Sequence, residues 1–276
     1  MDRIFNRDCA YRAFNWLYMP VKAKREHRFV SSQSVEDVRN DVLAGRCRNL
    51  EYLFKKRFQW MNYYIKPNEK GIELGSAMGL SRLYINGDYI TTDITNYPWI
   101  DRTINALNMN VETSSIDYII ANNVVHHLSS PYRFFSECSR VLKPKGRLII
   151  QDVNASLAFR TLLNITKHEG YSKEVDVFDP YGVCKENEKP WSANNAIVNL
   201  LFDDKKKFER HFPFKIVHDK PVEFFIWLVS GGVAQLIKTI PLPLVALNML
   251  NKIDSFLIRI SKKIFPMQRQ IVCEKT

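Results

Sequence analysis

Ile72-Glu-Leu-Gly75-Ser-Ala77-Met-Gly79 is the stretch on which the fold turns. It closes an apolar run, Gly71-Ile-Glu-Leu74, that reads as a buried strand, and it precedes a run that reads as a helix. Small residues at 75, 77 and 79 let the backbone turn sharply and come close to a ligand, with helix N-terminal amides at hand. Two nucleotide readings compete with an ordinary strand-to-helix turn. A dinucleotide fold wants G-x-G-x-x-G, whose third glycine permits close helix–strand packing. Here Ala77 fills the second glycine position and Leu80 the third. Glu73, ahead of the first glycine, suits a ligand with a cationic amino-acid end better than a pyrophosphate.

Outward from this loop, short apolar runs alternate with helical segments, the pattern of a parallel sheet with crossover helices. The next runs are Tyr89-Ile-Thr-Thr92, Ile116-Asp-Tyr-Ile-Ile120 and Arg147-Leu-Ile-Ile-Gln151. Between the last two, Phe134, Phe135, Cys138, Val141 and Leu142 fall on one helical face of residues 131–142, and Lys143-Pro-Lys-Gly146 stops that helix. Asp93 stands 20 positions after Glu73, at the end of the second strand. A carboxylate there can accept two hydrogen bonds from a ribose diol; it can equally serve a turn, since Thr-Asp-Ile-Thr is good turn chemistry.

The chain divides into four parts. Residues 1–66 read as a helical, basic N-terminal segment, with Leu50, Leu53, Phe54, Phe58 and Met61 at helical spacing. Residues 67–153 form the nucleotide-binding core, and 154–200 a turn-rich insertion with a helix capped at Ser192. Residues 201–276 complete the sheet with strands at Phe214–His218 and Gln270–Cys273, around an apolar helical insertion at about 222–264. Within that insertion Val222 to Leu250 is apolar but broken by Gly231-Gly232, Lys238, Pro241 and Pro243, so it is expected to be buried or interfacial and not to span a bilayer. Met1 to Arg28 lacks the apolar core of a signal peptide.

Composition is that of a globular protein: 276 residues, 46% hydrophobic and 25% charged, which excludes wholesale disorder. The net charge is +11, and residues 1–70 hold +7 of it, with 15 Lys and Arg against 8 Asp and Glu. Such a balance favours polyanionic or membrane-surface neighbours. The five cysteines are far apart and form no C-x-x-C pair, so neither a zinc site nor a disulfide framework is expected, and reduced thiols in a cytosol are.

In order and spacing, Glu73-Leu-Gly75, Asp93, Asn105-Ala106-Leu107, Ile116-Asp117, Asn123-Val-Val-His-His127-Leu and Arg140-Val-Leu-Lys-Pro-Lys-Gly146 resemble the class I S-adenosylmethionine-dependent methyltransferases. The likeness covers residues 66–153 and is closest to the type 11 branch that includes ubiquinone-biosynthesis enzymes. Trp191-Ser-Ala-Asn-Asn-Ala196, Ser230-Gly-Gly232 and the final strand more faintly resemble methyltransferases found with bacterial surface-polysaccharide genes. The resemblance implies an α/β fold: a Rossmann-like seven-stranded sheet, its last strand antiparallel, with two insertions forming a cap. It implies S-adenosylmethionine as cofactor and S-adenosylhomocysteine as product. By position, Glu73, Gly75, Ser76, Ala77 and Gly79 would border the methionine moiety and Asp93 would hold the ribose. Ile94 would pack on the adenine, Asn105 and Ala106 would meet its edge, and Asn122 and Asn123 would line the methionine side. Asn105 stands where many relatives carry Asp, which leaves an acceptor for the adenine amino group.

Transfer to a hydroxyl also needs a base near neutrality. The candidates are His127 and His168 first, then His126 and Asp152; Glu169 adjoins His168, and no ligand spacing demands a metal. A sugar or glycan intermediate of envelope polysaccharide synthesis is the expected acceptor, with a quinone-like metabolite as the alternative. A binding module that has lost catalysis is the non-enzymatic alternative. Nucleic acid is not expected as a substrate, because Asn122-Asn-Val-Val-His126 lacks the Asn/Asp-Pro-Pro-aromatic loop of base-modifying relatives. The basic clusters Lys55-Lys-Arg57, Lys205-Lys-Lys207 and Lys262-Lys263 allow peripheral contact with an anionic inner membrane from the cytoplasm.

Overall fold

The computed structural model describes residues 32–167, 169–182, 193–232 and 239–276. Helices α1 (Ser32–Leu43) and α2 (Arg48–Gln59) and a 3-10 turn, Trp60–Tyr64, lead into β1 (Lys70–Leu74). Then follow β2 (Asp88–Asp93), β3 (Arg102–Thr103) and β4 (Ile116–Asn122). Next come α3 (Pro131–Val141), β5 (Leu142–Val153), α4 (Leu157–Thr166), α5 (Ile197–Phe202) and α6 (Lys205–His211). The chain ends with β6 (Phe214–Val222), α7 (Phe225–Ser230), α8 (Leu244–Ile260) and β7 (Gln268–Lys275).

One seven-stranded sheet results, in the order β3-β2-β1-β4-β5-β7-β6. The pairs β1–β2, β1–β4, β2–β3 and β4–β5 are parallel, whereas β7 is antiparallel to both β5 and β6, as expected of its last strand. Alternate residues of each central strand face opposite layers. Ile119 and Ala121 of β4, with Leu148 and Ile150 of β5, pack into one core with α3 to α6; Tyr118, Ile120 and Ile149 pack into the other with α1, α2, α7 and α8. In the first core the Phe135 ring meets Phe134, Phe202 and Phe208 edge-on. Each such fully buried ring contributes about 1.5–3 kcal/mol.

Local chemistry sets the element ends. α3 starts at Pro131 with the Ser130 hydroxyl accepting from the Arg133 amide, and it ends at Val141, so the expected stop holds. The helix expected after Gly79 is only a 3-10 turn, Leu80–Leu83, because the chain turns back through Asn86-Gly87 to begin β2. The strand expected at Phe214–His218 runs on to Val222. Ser192 lies outside the described residues, and the helix expected near it is α5, with Ala196 ahead of it. Among the described residues no helix is long and apolar enough to cross a membrane. The apolar stretch 222–250 is divided among the end of β6, α7 and the start of α8, with 233–238 outside the described residues.

Candidate functional site

At the carboxyl end of β1 the chain turns on Gly75, whose φ is +67°. A Cβ there would lie 2.5 Å from Val124 Cγ2, so only glycine lets the loop after β1 approach the loop after β4. Ala77 and Gly79 are also left-handed, at φ 43° and 60°. No long helix follows the loop, and the Ser76, Ala77 and Gly79 amides donate within the protein, to Thr92 O, Asp93 Oδ2 and Ser76 O.

Glu73 lies beneath this loop, 2% exposed. Its Oε2 accepts from Ser76 Oγ at 2.8 Å and Ser81 Oγ at 2.6 Å, and Ser81 Oγ in turn accepts from the Tyr89 hydroxyl at 3.0 Å. Burial pushes the carboxyl up to about 7, with the serine hydrogen bonds opposing. The structure thus gives Glu73 a loop-holding position. Ser76 binds across to β2: its amide donates to Thr92 O at 2.8 Å, and its hydroxyl accepts from the Thr92 amide at 3.1 Å.

Asp93 ends β2 with its carboxylate against the same loop. Oδ2 accepts from the Ala77 amide at 2.9 Å and Oδ1 from the Thr95 amide at 2.9 Å. A carboxylate oxygen can accept a second bond, so both oxygens can still serve a diol. Ile94, beside it, is 67% exposed. The Ile104 amide donates to Asp93 O at 2.9 Å, which brings the exposed Asn105 and half-buried Ala106 alongside, and Asn105 Oδ1 accepts from the Leu107 amide. At the end of β4, Asn122 Oδ1 and Asn123 Oδ1 are buried and have no hydrogen-bond partner among the described residues. A buried acceptor left without a donor is costly, and a ligand amine or hydroxyl reaching this corner would satisfy it. Close backbone approach, a diol-ready carboxylate, an exposed apolar side chain and orphan acceptors together fit a nucleoside bearing an amino-acid arm.

The histidines follow directly. His126 is buried, with Nδ1 2.5 Å from Asp152 Oδ1, and Asp152 also accepts from the Val125 and Val153 amides at 2.7 Å. Burial opposes charge on His126, yet Asp152 outweighs it and raises the imidazole above its ordinary value; burial raises Asp152, and His126 and the amide bonds bring it below the usual range. Asp152 is therefore a positioning residue with its oxygens already engaged. His126 Nε2 points toward Glu169, with Oε2 3.9 Å away, and the His127 ring lies 4.0 Å from the His126 ring. His168 lies outside the described residues. Asn195 and Asn194, from the segment that drew the fainter resemblance, fasten this corner. Asn195 Nδ2 donates to Glu169 Oε2 at 2.9 Å, and the Asn194 amide donates to His126 O at 2.9 Å. Sequence reading named the two asparagines only as a likeness; their role depends on contacts across 26 and 68 positions, which no local pattern signals. Ser81, which shares Glu73, was likewise missed, although a hydroxyl eight residues after a buried acid is a weak cue.

Residues 41–150 match the family described as a methyltransferase domain. No curated protein sequence is significantly similar. Among solved structures, a SAM-dependent methyltransferase from Archaeoglobus fulgidus is 15% identical, with 81% of this chain and 94% of that one covered at a TM-score of 0.46. A provisionally assigned sarcosine dimethylglycine methyltransferase from Galdieria sulphuraria is 15% identical over 83% of this chain and 86% of that one, at 0.43. Phosphoethanolamine N-methyltransferase 2 of Haemonchus contortus, solved with S-adenosyl-L-methionine, is 11% identical over 80% and 52%, at 0.42. With TM-scores under 0.5, none of these likenesses says what this chain acts on.

Proposed function

We propose that this chain, whose residues 41–150 match a methyltransferase domain, uses S-adenosylmethionine to O-methylate a sugar or glycan intermediate of envelope polysaccharide synthesis, presented at an anionic membrane surface. One observation carries the hydroxyl part of this reading: the cluster of Asp152, His126, His127 and Glu169 beyond β4 and β5, next to the loop that takes the cofactor. The choice of a sugar rests on the fainter resemblance around Asn194 and Asn195.

When bound, S-adenosylmethionine supplies a methyl group activated by a sulfonium. The turn at Gly75 would let the loop lie against it, Asp93 would hold the ribose, and Asn122 and Asn123 would meet the amino-acid arm. Alignment of the acceptor oxygen with the methyl group supplies much of the acceleration. A hydroxyl must also lose its proton as its oxygen attacks. The imidazoles and the carboxylate of the cluster are the groups placed to stabilise that change.

Calorimetric titration of the cofactor into wild-type protein and Asp93→Ala tests the premise. The variant should bind at least about tenfold more weakly, since it loses charge-assisted hydrogen bonds of about 1.5–3 kcal/mol. Equal affinity would remove the site. Labelled methyl donor incubated with envelope glycan fractions and with quinone extracts then tests the acceptor: label in the quinone fraction alone would overturn the glycan reading.

A further inference from the structure

The cluster beyond β4 has the form of a metal site with its supporting shell already built. One ligand atom from each of His126, His127 and Glu169 lies within 4.8 Å of the other two. Two atoms that each lie about 2.1 Å from one ion in tetrahedral geometry are about 3.4 Å apart. The three groups therefore need to close by up to roughly 1.4 Å, within the reach of side-chain rotation, and two of them, His127 and Glu169, are not fully buried. His126 is already oriented for ligation. Its Nδ1 is held at 2.5 Å by the buried Asp152, which turns Nε2 toward Glu169. A carboxylate behind one ring nitrogen fixes the tautomer and raises the basicity of the other, the arrangement that supports metal-bound histidines. Glu169 has its own support, since Asn195 Nδ2 donates to its Oε2 at 2.9 Å.

We propose that His126, His127 and Glu169 bind one divalent first-row transition-metal ion, leaving open positions that the acceptor's hydroxyl oxygens fill. Two imidazoles and one carboxylate are borderline donors that suit zinc, cobalt or manganese better than magnesium or calcium. This inference rests on the methyl-transfer reading of the same site and supplies what that reading needs, a means of acidifying a hydroxyl. The hydroxyl releases its proton to water as its oxygen binds the ion. That oxygen then forms a bond to the methyl carbon while the S–C bond breaks, and the bonding pair stays on sulfur as a neutral thioether. A vicinal diol, as in a sugar, can chelate the ion through both oxygens.

Tag-free full-length protein, stripped with chelator, is titrated with Co²⁺ and followed by visible absorption, alongside Glu169→Gln and His127→Ala. Circular dichroism checks that both variants fold. One Co²⁺ per chain is expected, with the d–d bands of a site bearing nitrogen and oxygen ligands, and each variant should bind at least tenfold more weakly. No stoichiometric Co²⁺ in the wild type, or unchanged bands in both variants, would overturn the site. Cofactor affinity is measured on the same samples. If the cofactor binds and Co²⁺ does not, the metal proposal falls alone; if the cofactor fails to bind, the methyl-transfer reading falls too.

Discussion

Glu73 is a carboxyl group in a place that disfavours its charge. Two hydroxyls hold it, but burial dominates and sets its titration at about 7. A free carboxyl titrates near 4.3. Between those values the folded state holds a proton that the unfolded state has lost, so stability falls as pH rises through this window. The cost is complete above about 7 and amounts to roughly 3–4 kcal/mol. Glu73→Gln keeps an acceptor for Ser76 and Ser81 and removes the titration. Thermal melts at pH 5 and pH 8 should show the variant gaining on the wild type as pH rises. A difference that stays constant between the two conditions would mean that Glu73 does not titrate there.

At the scale of elements, α2 is tied to the sheet by a buried ion pair. The Arg57 guanidinium, fully buried, donates from Nε and Nη2 to Glu223 Oε1 and Oε2 at 3.0 and 2.7 Å, just after β6. Gln151 of β5 donates to the same carboxylate and accepts from Trp60 Nε1. Removing one partner of such a pair strands the other charge, at about 3–5 kcal/mol. Urea denaturation should show that loss in Arg57→Met, and Arg57→Met/Glu223→Gln should recover much of it. A double variant no more stable than the single would show that packing, not the stranded charge, sets the cost. Arg57 reads in sequence only as part of a basic cluster, because its partner lies 166 positions away. By contrast β1, β2 and β4 were legible as apolar runs, since parallel strands are buried on both faces. β3 was not: it is Arg102 and Thr103, two exposed residues without a pattern. The site divides in the same way. Gly75 and Asp93 follow from local spacing, while the meeting of His126, Glu169 and Asn195 joins three segments, each noted by itself, that no spacing relates.

At the scale of the whole molecule, the net charge of +11 and one helix face point to the same neighbour. α8 buries Leu247, Asp254 and Ile258 against the protein, and Asp254 accepts from the Phe224, Phe225 and Ile226 amides at the start of α7. Its other face is apolar yet exposed: Val245 is 80% exposed, Met249 59%, Phe256 63% and Ile260 62%. Lys252 and Arg259 on the helix, with Lys262 and Lys263 beyond it, are exposed, and the stretch 244–264 has no acidic residue besides the buried Asp254. An apolar stripe bordered by cations alone complements an anionic leaflet, with the helix lying in the interface. Four cations at about 1 kcal/mol each, together with partial burial of the stripe, would suffice for the reversible docking we propose. On this argument the protein should co-sediment with phosphatidylglycerol vesicles at low salt, and less so with phosphatidylcholine vesicles or at high salt. Phe256→Glu/Met249→Glu, which alters only exposed side chains, should lose most of the binding while keeping its melting temperature. Equal sedimentation of variant and parent, or none with anionic vesicles, would mean that this face does not meet lipid and that the acceptor reaches the site from solution.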